Sequence, residues 1–193
     1  IGTVVAKASQ VTSLSTVNIT SSDAVTVAQA IAADSFTTGV ITGVISDGDV
    51  TTLKTLTDAN SNNALTIVVT DTTADAGDLA IIDGITSVTV DAQTNVTTIT
   101  GSAAEIIALL SAAGTNIPAN VNFVIDEAAS AANIQTIAAA TTGEITATLL
   151  AGETTLNLST STASKNTITL NDDGVTVTGS SQIDVITVGS GAD

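Results

Sequence analysis

Alanine-rich stretches with apolar residues at helical spacing alternate along this chain with short β-branched runs whose apolar side chains fall on every second position. Residues 23–47, DAVTVAQAIAADSFTTGVITGVISD, show the plan most clearly, and it returns at 126–152 as DEAASAANIQTIAAATTGEITATLLAG. Each copy has an Asp, a turn of small residues, apolar positions near i, i+3, i+4 and i+7, then Thr-Thr-Gly and an alternating run. This is a helix-then-strand unit. A unit of this size cannot bury its own apolar face and must stack on a neighbour.

Taken in order, residues 1–16 read as a cap or the tail of a preceding unit. The strands VNIT (17–20), VITGVIS (40–46) and LTIVVT (65–70) precede Asp23, Asp47 and Asp71, a 24-residue step each time. Between them, TVAQAIAADSF, VTTLKTLTDAN and TADAGDLAIIDGI have helical periodicity. SVTVD (87–91) and NVTTITG (95–101) follow one another closely, which fits a hairpin or an abbreviated coil. Ser102 and Glu105 form a capping box for AAEIIALLSAA, and Gly114 is placed to end that helix. After Pro118 come the strand VNFVID (121–126) and the last full unit, ending in ITATLL (145–150). Beyond Gly152 no helix-length alanine stretch remains, and short strands and turns recur about every ten residues. The expected fold is α/β: a right-handed repeat solenoid of leucine-rich-repeat-like strand–helix coils of about 24 residues (17–150), continued by a β-rich roll (151–193).

Composition narrows the chemistry. Aromatics are 1% of the chain, so Ala, Val, Ile, Leu and Thr must fill a thin, layered core around Phe36 and Phe123. The net charge is -16 with three Lys and no Arg, which excludes nucleic acid and anionic membranes as partners and favours cations. No Cys is present, leaving packing, hydrogen-bond ladders and oxygen-ligated metals as stabilising devices. The apolar run at 103–114 is too short to span a bilayer. No charged start followed by an apolar segment is visible, and Ile1 reads as the start of a processed or excised piece.

At the C-terminus, Asp184 and Asp193 lie nine residues apart in GSSQIDVITVGSGAD (179–193), with Gly189 and Gly191 ahead of Asp193. This spacing resembles the glycine- and aspartate-rich nonapeptide GGxGxDxUx of the repeats-in-toxin (RTX) family, which binds calcium in a parallel β-roll. The resemblance implies that the glycines supply tight turns and that Asp184 and Asp193 offer carboxylate oxygens to calcium. The match covers about fifteen residues and lacks the double glycine of a full repeat. Ordinary Gly/Asp turns between strands are the alternative. Asp172 and Asp173, beside Asn171, form a second oxygen cluster for which turn chemistry and metal binding both stand. The alanine- and threonine-rich units are also similar to repeats of long secreted bacterial surface proteins, which implies export and a cell-surface location.

The aspartates Asp23, Asp47, Asp71 and Asp126 read as caps for the helices that follow them, with a calcium ladder as the alternative. Catalysis is not expected: without His, Cys, Tyr or Arg the common general bases and nucleophile–base pairs are missing. Ser–Lys pairs around Lys7, Lys54 or Lys165 remain conceivable on paper, yet Ser164-Lys165 lies in a loop-like stretch. The expected role is a non-catalytic, calcium-assisted structural module of surface-layer or fibre type that associates with itself or with neighbouring repeats of a longer chain. An adhesin or ligand-binding module of a large secreted RTX-type protein is the first alternative. An ice-binding solenoid is the second; it requires TxT columns in one register, which the sequence does not display.

Overall fold

The computed structural model describes residues 15–171 and 174–188. It is a mixed α/β structure, and every strand pairing among these residues is parallel. The chain forms two compact units. One runs to Asp71 and takes in Asp78–Asn95 and Ala113–Asn116; the other comprises Thr72–Gly77, Val96–Ala112 and the chain from Ile117 onward.

In the first unit, strands β1 (Ile19–Thr20), β2 (Ile41–Val44) and β3 (Asn63–Thr66) lie side by side in chain order. Ile19 pairs with Ile41 and Ile41 with Asn63, so each strand meets the one 22 residues on. Helix α1 (Val27–Asp34) joins β1 to β2, and α2 (Val50–Leu53) joins β2 to β3. A parallel pair needs such a crossover connection. Most of α3 (Ala76–Asp83), β5 (Val90–Asp91) and β7 (Thr115–Asn116) complete this unit, with β5 and β7 paired.

The second unit holds a six-stranded sheet in the order β13-β11-β9-β8-β6-β4. Its strands are β4 (Thr73–Asp75), β6 (Thr98–Gly101), β8 (Asn122–Ala129), β9 (Glu144–Leu149), β11 (Lys165–Thr169) and β13 (Ile183–Thr187). One column of paired residues runs through all six: Ala74, Ile99, Phe123, Ile145, Asn166 and Asp184. Its apolar members are buried, with Phe123 1% exposed, so this column is the spine of the core. Helices α4 (Ala103–Ser111) and α5 (Ala131–Ala138) provide the crossovers β6–β8 and β8–β9 and pack on one another. From β9 onward the described crossovers have no helix, and β10 (Thr155–Asn157) pairs with β12 (Thr176–Thr178) instead.

An internal duplication underlies both units. Helix α1 at 27–34 and α5 at 131–138 have the same length, an offset of 104 residues. Their N-caps Thr26 and Ser130, the turns Thr37-Thr38-Gly39 and Thr141-Thr142-Gly143, and Asn18 and Asn122 keep that offset. The asparagines do the same work: Asn18 Oδ1 accepts from the Val40 N–H and Asn122 Oδ1 from the Glu144 N–H.

Several local expectations are corrected. VTTLKTLTDAN forms one helical turn, because β-branched threonines oppose helix here and the Asp58 carboxylate draws the Asn62 and Asn63 N–H groups into a loop. The Ser102–Glu105 capping box forms, but the helix closes at Ala112 in an extended conformation before it reaches Gly114. Gly114 instead packs against Asp83 so closely that a Cβ there would overlap the carboxylate. SVTVD and NVTTITG make no hairpin, since β5 pairs with β7 while β6 pairs with β4 and β8. VNFVID does not end on Asp126: β8 runs on to Ala129 through a register shift between Val124 and Ala128.

Candidate functional site

The Thr-Thr-Gly turns join successive strands through buried hydroxyls. Thr141 is 2% exposed; its Oγ1 donates to the carbonyl of Val121 at 2.6 Å and accepts from the Gly143 N–H at 2.9 Å. Thr37 repeats this with the Val17 carbonyl and the Gly39 N–H. Thr86 does so with the Leu65 carbonyl and the Val88 N–H. The hydroxyl thus closes its own turn and holds the strand about one coil earlier. Glycine follows because the two turns nearly touch: a Cβ on Gly39 would lie 2.5 Å from the carbonyl carbon and oxygen of Val17.

Two of the repeated aspartates, Asp47 and Asp71, cap helices, but not those that follow them. Asp47 Oδ2 accepts from the Val27 N–H at 2.6 Å, and Asp71 Oδ2 from the Val50 N–H at 2.6 Å. Each carboxylate reaches back to the first residue of the preceding helix. The N-caps proper are Thr26, Asp49, Ser102 and Ser130. The Thr52 hydroxyl, then its backbone N–H, holds the Asp49 carboxyl below its usual range; the Ser102 hydroxyl, then its backbone, does the same for Glu105. Asp126 is exposed on the irregular stretch of β8 and caps none of these helices.

Of the RTX-like residues, Asp184 is described, and its carboxylate is engaged. Oδ1 accepts from Asn166 Nδ2 at 2.8 Å and Ser180 Oγ at 3.0 Å, and Oδ2 accepts from the Ser180 N–H at 2.7 Å. Asn166 is fully buried, so the polar pair Asn166 and Asp184 continues the spine of the sheet. Asp172, Asp173, Gly189, Gly191 and Asp193 lie outside the described residues. Among the described residues no three His, Cys, Asp or Glu side chains gather as a metal-binding group. No described helix is long and apolar enough to cross a membrane.

Two further features escape a reading by spacing. The outward positions of β9 and β11 bring Thr146 beside Thr167 and Thr148 beside Thr169, so TxT pairs do share a register across two strands. One column ends there, where β8 places Val124 next to Thr146 and β13 places Val185 next to Thr167; the other stops at Ala128 on β8 but continues to Thr187 on β13. The second feature is a groove of about 360 Å³ in the first unit, lined by Asp34, Ser35, Phe36, Thr38 and Asn60 among others. Asp34 is 5% exposed; its Oδ2 accepts from the Ala59 N–H at 3.1 Å, and its Oδ1 has no hydrogen-bond partner.

Compared with known protein families, curated proteins and solved structures, the chain shows no significant match.

Proposed function

We propose that this chain is a non-catalytic extracellular structural module, a right-handed solenoid of surface-layer or fibre type that associates end to end with copies of itself or with further repeats. The observation behind the reading is the unbroken column from Ala74 to Asp184, in which each strand pairs in parallel with the next. Stability in such a ladder comes from neighbour-to-neighbour interfaces, and its terminal strands need a cap or a partner. Strand β13 is such an end: among the described residues it pairs with β11 alone, and it exposes Ile183 (62%) and Val185 (44%).

Calcium enters through the RTX resemblance. The step from Asn166 to Asp184 is 18 residues, twice a nonapeptide, and favours a β-roll at this end of the sheet. Because Asp184 already accepts three hydrogen bonds, calcium would need oxygen ligands beyond this one carboxylate. The test is a calcium titration of the whole chain, following thermal unfolding and particle size with and without chelator. A calcium-dependent rise in Tm follows from mass-action linkage, and growth in particle size accompanies it if the module assembles. A chain that stays monomeric with an unchanged Tm at saturating calcium overturns this reading.

A further inference from the structure

The duplication supplies a control for the groove within the same molecule. Where the first copy has Asp34, Ser35 and Phe36, the second has Ala138, Ala139 and Ala140, and Thr-Thr-Gly follows in both. The helix and the glycine turn keep their form with three alanines, and Ala138 is fully buried. The turn therefore does not need a carboxylate, a hydroxyl or an aromatic ring. Even the neighbouring contact survives the exchange. The Ala163 N–H donates to the Ala138 carbonyl, while its counterpart Ala59 donates to the Asp34 carboxylate.

Asp34 thus adds a buried carboxylate side chain that the second copy does without. It sits in the last turn of α1, where the helix dipole disfavours an anion. Among the described residues, no Lys lines the groove to balance it. Phe36, one of two aromatic residues, is 39% exposed beside it, whereas Phe123 is 1% exposed in the core.

We propose that this groove binds an alkylammonium group. Asp34 supplies the counter-charge, the Phe36 ring an apolar face that also attracts a cation, and Ser35 and Asn60 polar lining. A bare divalent metal fits less well: it asks for six to eight oxygens, whereas this groove offers one carboxylate and an aromatic wall. A volume of about 360 Å³ instead suits a small organic ion.

The test titrates the full chain with n-butylammonium chloride at constant ionic strength, read by backbone amide NMR. Shifts at residues 34–38 and 59–60 that saturate with a Kd of about 1 mM are expected, while residues 138–142 stay still. Asp34→Asn and Asp34→Ala, the latter copying Ala138, should weaken binding at least about tenfold, and Phe36→Ala should weaken it less. A lysine side chain carries the same group, so a Gly-Lys-Gly peptide that competes more strongly than butylammonium points to a protein source, and a weaker one to a free amine. Equal shifts in wild type and folded Asp34→Ala, shifts with calcium chloride but not the amine, or none at all overturn the proposal.

Discussion

The carboxylate of Asp47 accepts the backbone N–H of Val27 at 2.6 Å, 20 residues back along the chain. Thr26, the local cap of the same helix, serves the Gln29 N–H, so the two acceptors divide the exposed donors of the first turn. A helix finished by the following coil is stable only when that coil is folded. Asp47→Ala is expected to cost about 1 kcal/mol, with faster amide exchange concentrated at the start of α1. Denaturation midpoints and hydrogen exchange check it; an effect confined to residues near 47 refutes the link.

Glycine at the Thr-Thr-Gly turns answers to distance. A methyl group on Gly143 would run into the carbonyl oxygens of Asn120 and Val121, just as one on Gly39 would meet Val17. Gly143→Ala should destabilise by about 3 kcal/mol, because backbone on both sides must move. Gly152→Ala is the contrast: its Cβ meets nothing within 4 Å, and its φ of +88° leaves a backbone penalty of about 1 kcal/mol. Chemical denaturation of the two variants separates close approach from conformational strain.

What the sequence discloses here divides by distance along the chain. The Ser102–Glu105 box is legible because both partners lie within one turn. The role of Asp47 is not, because its partner lies one coil earlier and local reasoning assigns it to the helix ahead. Thr-Thr-Gly stands out as a marker, yet nothing in the string says that Thr141 hydrogen-bonds Val121. The nine-residue spacing around Asp184 is visible, while its partner Asn166 comes from the adjacent strand. Asp34 reads as an ordinary polar residue at a helix end. The signal that distinguishes it is the comparison of Asp-Ser-Phe with Ala-Ala-Ala 104 residues on.

Acid should loosen two of the helix starts. Hydrogen bonds from Thr52 to Asp49 and from Ser102 to Glu105 hold both carboxyl pKa values below their usual 3.8 and 4.5. A group with a depressed folded pKa contributes stability that is present above its unfolded pKa and lost as pH falls through the folded one. Stability should therefore hold down to the ordinary carboxylate range and fall below it. Asp49→Asn with Glu105→Gln should flatten that fall, as measured by denaturation at a series of pH values. An unchanged slope in the double variant removes these caps as the cause.

The buried and exposed threonines of one turn allow the hydroxyl stitch to be weighed directly. Thr141 is 2% exposed and has both a donor and an acceptor partner, whereas its exposed neighbour Thr142 makes a longer 3.3 Å bond to the Ala119 carbonyl. Valine keeps the shape of threonine and removes the hydroxyl. Thr141→Val leaves the Val121 carbonyl and the Gly143 N–H without that partner in a place water does not reach, which should cost about 2 kcal/mol. At Thr142 water replaces the lost bond, and the same change should cost less than about 0.5 kcal/mol. Equal losses at the two sites would mean that the hydroxyls merely fill space, and the coil-to-coil bond would then add nothing beyond apolar packing. A loss confined to Thr141 makes that hydroxyl a structural requirement of the turn and explains why a polar residue occupies a buried position in both copies.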